Sequence, residues 1–236
     1  MQPRPRAETV RPERPRLRVF IAGFLSFEAK SEAKLIDAVT GGSVPPCGPE
    51  QVCAVSASLR IIEEDMTPIP AWFERKFEFS FPVELHPNVC ARLRGTPARL
   101  EEIFRNVERN ICVRKAAEKW SAQEHAGHLL DLEPLWIARI SDYVTDASKL
   151  TAADLTNRNT HEAQHNQRLL VEILTGFRSA RLQLVSRAEN VAPAVHGRTI
   201  LHPRMQTPMR LVDHLYFVAE HDDHHLAHIW NLIQAG

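Results

Sequence analysis

The sequence predicts an all-α protein, a four-helix bundle preceded by a poorly ordered N-terminal extension. Two observations indicate this class. After residue 95, four segments repeat apolar residues at helical spacing, and each begins at a recognisable helix start. The only strand-like alternation, from Phe77 to Phe81, is too short to build a sheet, so we interpret it as an extended lead-in.

The extension is predicted to span residues 1–65 and the bundle residues 66–236. Proline recurs through the Arg-rich start of the chain, where it removes the backbone donors that a helix needs. Met66 opens the first stretch that is typical of a compact domain. Met66 is therefore also a candidate translation start, in which case residues 1–65 are an upstream extension.

Each predicted helix has a start that the preferences of helix N-termini explain. Ser, Thr and Asn cap the first turn, proline favours the first helical position, and Glu three residues later completes a capping box. The first helix is predicted to start at Thr96-Pro97 and to carry Ile111, with a connection around residues 117–120 after it, and the second to run from Ser121 with Glu124 to about Tyr143. The third starts near Asn159 and continues through Leu184, and the fourth runs from Thr207-Pro208 to the end of the chain. The first connection is short and favours antiparallel neighbours, whereas the later two are long enough to cross over.

The composition of the chain indicates where the protein is located and which classes of partner it does not bind. The chain has 29 Lys and Arg against 29 Asp and Glu, which indicates neither nucleic acid nor an anionic membrane as a partner. No apolar run approaches the roughly 20 residues that span a bilayer. The four cysteines lack C-x-x-C spacing and are interpreted as reduced thiols. We therefore expect a cytoplasmic protein.

Four of the twelve histidines lie between Ala219 and Ile229, within the last predicted helix. Helical phase places His225 near the middle of its apolar stripe and His221 within the edge, with His224 nearly opposite and His228 off centre. Buried imidazoles need partners, because an unpaired polar group in a core costs a few kcal/mol. A metal ion bound between His221 and His225 would satisfy both.

The second predicted helix offers a third ligand. His125 lies near the centre of its buried stripe and His128 inside one edge, and phase alone does not choose between them. Either is also explained as a core histidine that bonds to a neighbouring side chain. The spacing therefore leaves both the ligand and the metal open.

A family resemblance bears on that choice. The segment Trp120–Leu129, followed by Glu133 and Trp136, resembles the second-helix motif of the DinB-like (YfiT-like) superfamily of four-helix metalloproteins. His221–His225 and the Ala227–Ile229 that follow are similar to its C-terminal motif, and the resemblance covers about residues 66–236. It implies three metal ligands, namely His128, His221 and His225.

The resemblance also implies a cofactor and a class of function. Three imidazoles with open coordination positions suit a divalent transition metal, Zn, Ni or Fe. The implied activity is a metal-dependent thiol S-transferase or hydrolase that acts on a small molecule, with a low-molecular-weight thiol as a partner and a homodimer as the assembly. The alternative is a non-catalytic protein in which the histidine cluster ties the second helix to the fourth.

Ligating histidines donate their second N–H to a carboxylate or carbonyl. The candidates for such outer contacts are Asp222 and Glu124, with Glu162 and Asn166 on the third helix. Glu162-x-x-His165 also fits half of a di-metal carboxylate site. We disfavour that site, because the sequence has no second such motif and His165 is predicted to point away from the apolar stripe.

Overall fold

Four long helices dominate the protein. The structure, a computed structural model, describes residues 68–115 and 119–235. Its elements are α1 (His86–Ile103), α2 (Arg109–Val113), α3 (Ala122–Thr145), α4 (Arg158–Glu162), α5 (Leu170–Glu189), α6 (Pro193–His196), β1 (Thr199–Leu201), β2 (Pro208–Arg210) and α7 (Leu211–Gln234). The predicted all-α bundle is confirmed, and the predicted extension at residues 1–65 lies outside the described residues.

The described residues bear on some of the predictions that were made from composition. Cys90 and Cys112 are buried free thiols, whereas Cys47 and Cys53 lie outside the described residues. None of the helices in the described part of the chain has the length and apolar content that crossing a bilayer requires.

The bundle has an unexpected order of helices. α3 packs against α5 and α7, and α1 packs against the same two helices. Core residues follow one order along α1 and α7 and the reverse order along α3 and α5, so these two pairs run in opposite directions. α1 and α3 are therefore antiparallel. Within the described residues, however, they are not neighbours but occupy diagonally opposite positions in the bundle. The adjacency predicted from the first connection was wrong, because α1 ends at Ile103 and leaves a longer link that contains α2.

The first predicted helix boundary was wrong as well. α1 begins at His86, where Pro87 occupies the first turn, and Pro97 lies inside the helix. Asn106 adopts a positive φ of 59° after the helix ends. Thr96 does not cap a helix; its hydroxyl donates to Asp222 Oδ2 at 2.9 Å.

The other boundaries depend on local backbone. The capping box of Ser121 and Glu124 at the start of α3 is confirmed. The third predicted helix is broken at Gln164, whose φ of 48° separates α4 from a 3-10 turn and from α5. The fourth begins at Leu211, because the preceding residues pair with β1 in an antiparallel ribbon with Ile200 opposite Met209.

Two apolar clusters fill the bundle. One surrounds Trp136 and Leu215, and the other surrounds Phe177 and Leu226. Along each long helix a polar residue lies between the two clusters. These residues are Thr96 of α1, Glu133 of α3, Arg181 of α5 and Asp222 of α7, and all four are fully buried. The core is therefore divided by a single polar layer.

Arg181 is the centre of this layer. Its guanidinium donates from Nε to Glu133 Oε1 at 2.9 Å, from Nη2 to Asp222 Oδ1 at 3.0 Å, and from Nη1 to Asp222 Oδ2. Burial raises the pKa of Glu133 to about 7, against the opposing effect of Arg181. With the bond from Thr96 to Asp222, the layer connects all four long helices.

Replacing Arg181 is expected to destabilise the bundle. Arg181→Met leaves two carboxylates buried without their cation, which should lower the free energy of unfolding by about 3–5 kcal/mol. Chemical denaturation measures this. The control is Arg94→Ala, which breaks the exposed pair with Glu189 and should cost about 1 kcal/mol or less. Equal losses in the two variants would contradict a special role for the layer.

Candidate metal site

Three histidines come together between α3 and α7. His128 of α3 and His221 and His225 of α7 are buried, and each offers a ring nitrogen within 4.8 Å of the other two. His221 and His225 face the same way because they are one helical turn apart. Their Nε2 atoms are 3.2 Å apart. The structure thus brings together the three residues that the family resemblance implied.

The donors suit a transition metal ion. Burial is the largest cause of the low pKa values of these histidines, about 4 for His128 and well below the usual value for His221 and His225. The imidazoles are therefore neutral near pH 7, with lone pairs available. Tetrahedral coordination with bonds of 2.0–2.1 Å separates two nitrogens by about 3.3 Å, close to the spacing of the Nε2 pair. The group can hold a metal ion.

A chain of polar contacts orients His128. Thr160 of α4 donates its hydroxyl proton to Asp131 Oδ2 at 2.9 Å. The Thr160 oxygen therefore accepts from His128 Nδ1, which lies 3.0 Å away. His165 Nε2 also lies 2.8 Å from Asp131 Oδ2. With its proton on Nδ1, His128 presents an unprotonated Nε2 to the cluster.

The two histidines of α7 have different surroundings. His225 Nδ1 lies 2.8 Å from Nδ1 of His125, and only one of these nitrogens can carry the proton that they share. When His225 is the donor, its Nε2 is free to bind a metal. His221 Nδ1 is buried and has no hydrogen-bond partner among the described residues. His125 is thus an outer contact of the cluster, not a member of it.

The sequence-based choice of outer contacts was wrong. Within the described residues, none of the four candidates hydrogen-bonds to the three imidazoles. Asp222 is taken by Arg181 and Thr96, and Glu124 by the helix cap and by Lys115. Glu162 is exposed. Asn166 accepts from Ser121 Oγ at 2.7 Å.

The outer contacts that the structure shows were missed for a physical reason. Thr160 and His165 lie on either side of Gln164 in the connection between α3 and α5, where the break at Gln164 interrupts the helical phase used in the sequence analysis. His165 is fully buried, not turned away as predicted. Asp131 lies one turn after His128 on α3, and that spacing is the signal that could have identified it.

The cluster opens into a cavity of about 410 Å³. All three histidines line it, and aromatic side chains form much of its wall. These are Trp72, Phe73, Trp120, Trp136 and Phe217. Helical phase placed His224 nearly opposite the buried stripe, yet it also lines the cavity. The reason is that Trp72 covers that side of α7, with its ring centroid 5.6 Å from that of His224.

Comparisons with known proteins agree with this architecture. Residues 92–229, more than half of the chain, match the DinB superfamily. No curated protein sequence matches the chain.

Two solved structures share the fold. One is YfiT from Bacillus subtilis, described as a probable metal-dependent hydrolase with an unusual four-helix bundle topology. It is 18% identical to this chain with a TM-score of 0.59, and the match covers 68% of this chain and 93% of YfiT. The other is the mycothiol-dependent maleylpyruvate isomerase, 10% identical, with a TM-score of 0.51, over 62% of this chain and 60% of that one. At these identities the likeness shows the fold.

A glycine next to the cluster provides a test of its packing. A Cβ on Gly127 would overlap the His165 ring, which donates to Asp131. We expect Gly127→Ala to displace this ring and lower the free energy of unfolding by about 1–3 kcal/mol, measured by chemical denaturation.

The matched control is Gly95→Ala in α1, where a Cβ meets nothing within 4 Å. That change should stabilise the helix by about 0.5–1 kcal/mol, because alanine loses less backbone entropy than glycine. Two variants of equal stability would show that His165 is not held against Gly127.

Proposed function

The chain belongs to the DinB superfamily, and on this basis we propose that it is a metal-dependent enzyme acting on a small molecule. The observation that carries the proposal is that three neutral imidazoles line a cavity of about 410 Å³. A structural metal site is closed by four protein ligands, whereas a catalytic one keeps a position open to substrate. The cavity provides that access.

His128, His221 and His225 are the proposed ligands. Imidazole suits several first-row ions, so the metal is Zn, Ni or Fe. Bound to three imidazoles, such an ion supplies Lewis acidity, lowering the pKa of a water molecule or stabilising a thiol as its thiolate.

The surrounding residues fix the site before substrate arrives. Thr160 and Asp131 hold His128 with its Nε2 toward the cluster. The Trp120 ring lies 4.7 Å from the ring of His128, and its apolar surface also lines the cavity. Together with the other aromatic walls it limits access of bulk water and offers a surface for an apolar part of the substrate.

Two reaction classes fit this site. Hydrolysis is supported by the description of YfiT as a probable metal-dependent hydrolase. Transfer of a low-molecular-weight thiol is supported by the mycothiol dependence of the isomerase that shares the fold. The homodimer and the cytoplasmic location stay predictions. The open cavity favours an enzyme over a protein in which the metal only joins two helices.

Metal content tests the ligand assignment. The native full-length protein should purify with about one transition metal ion per chain. His225→Ala should lose most of it, because two imidazoles remain, whereas His228→Ala, one turn further along α7, should keep it. Elemental analysis of both variants against wild type is the measurement. Equal metal content in the His225→Ala variant and the wild type would contradict the assignment.

Turnover separates the enzyme from the structural alternative. The metal-loaded protein is screened with activated esters, and with thiols paired with a chromogenic electrophile. We expect turnover that a chelator abolishes and metal restores, and that is absent in the His225→Ala variant. Full metal loading with no turnover in either screen would favour the non-catalytic role.

A further inference from the structure

The cavity wall carries an excess of positively charged side chains. Arg139, Lys149 and Arg204 line the cavity beside the three histidines, and none of them forms an ion pair within residues 68–115 and 119–235. Among the described residues, Asp154 is the only acidic side chain in the wall. Its carboxylate accepts from the backbone N–H groups of Thr156 and Arg158. The wall therefore has an excess of cations.

Arg139 is the most unusual of the three. Its side chain is buried, with 2% of the residue exposed. It donates from Nε to the Thr151 carbonyl at 2.8 Å, and its Nη1 lies 3.1 Å from His202 Nε2. Both partners are neutral, since burial lowers the pKa of His202 to about 3. Burial also lowers the pKa of Arg139 to about 10, which leaves the group charged at neutral pH.

A buried guanidinium that contacts no carboxylate directly is costly. Elsewhere in the core the protein pairs its buried arginine with carboxylates, as Arg181 does with Glu133 and Asp222. Arg139 has two of its three nitrogens engaged, and Nη2 has no hydrogen-bond partner among the described residues. An anion in the cavity would offset the charge and accept from that nitrogen.

The charge lies close to the histidine cluster. The Trp136 ring centroid is 5.3 Å from the guanidinium carbon of Arg139 and 5.8 Å from the ring centroid of His221. A small molecule that lies against Trp136 can therefore reach both groups. Arg204, whose guanidinium carbon is 4.8 Å from the centre of the Phe73 ring, adds a second cation to the wall.

We propose that the cavity binds a small organic carboxylate, with the carboxylate at Arg139 and an apolar body along the tryptophan rings toward the histidines. The claim that this carboxylate is the substrate of the enzyme rests on the proposed function. Binding of a carboxylate at Arg139 does not itself require the metal. The one free nitrogen of Arg139 matches the charge and size of a carboxylate better than those of a phosphate, which carries more charge and needs more donors at the same point.

Calorimetric titration of the full chain tests the proposal, with phenylacetate as the probe and phenylacetamide as its neutral analogue. Phenylacetate should bind at least tenfold more tightly. Arg139→Gln should weaken it by roughly 10- to 100-fold, through loss of a bond between charged groups. Arg94→Gln, on the outer surface and paired with Glu189, should leave binding unchanged.

Three results would overturn the proposal. The first is equal affinity for the acid and the amide, and the second is tighter binding of phenyl phosphate than of phenylacetate. The third is unchanged affinity in Arg139→Gln. If that variant fails to fold, Arg204→Gln takes its place, and an affinity equal to wild type would count against the proposal.

Repeating the titration after metal removal separates this proposal from the proposed function. Phenylacetate binding that survives metal removal and depends on Arg139 supports the anion site even if no enzyme activity is found. If the protein binds metal normally but its affinity for phenylacetate does not depend on Arg139, the proposed metal site stands and the proposed anion site is rejected.

Discussion

The rest of the structure depends on the buried contact between Arg181 and its two carboxylates. One guanidinium joins α5 to Glu133 on α3 and to Asp222 on α7, and Thr96 adds α1. Such a group is stable in a core only when its charges are paired with good geometry. The contact therefore fixes the rotation of each helix about its axis. With Asp222 turned toward Arg181, the adjacent His221 faces the cavity.

The order of the helices in the bundle explains how residues outside the long helices reach the site. α3 and α5 are parallel neighbours, so the chain between them must return along the bundle. This connection carries Thr160 and His165 to Asp131, and its first part, together with the β ribbon, lines the cavity with Lys149 and Arg204. The long helices hold the three histidines and also Asp131 and Arg139, whereas the connections supply Thr160, His165, Lys149 and Arg204.

Local rules were enough for part of this architecture. The cap at Ser121 and the shared face of His221 and His225 follow from spacing along one helix, and the sequence predicted both. The partner of Asp222 could not be predicted, because Arg181 is distant in sequence and meets it only in the folded bundle. The break at Gln164 was also missed, since a positive φ at a non-glycine residue leaves little trace in a sequence.

The three histidines are proposed to bind a metal in a site that is open to substrate. X-ray absorption at the metal edge of the native full-length protein tests it most directly. We expect the metal to be surrounded by three imidazole nitrogens and at least one further oxygen or nitrogen donor from solvent. A shell that contains sulfur, or one without imidazole, would contradict it.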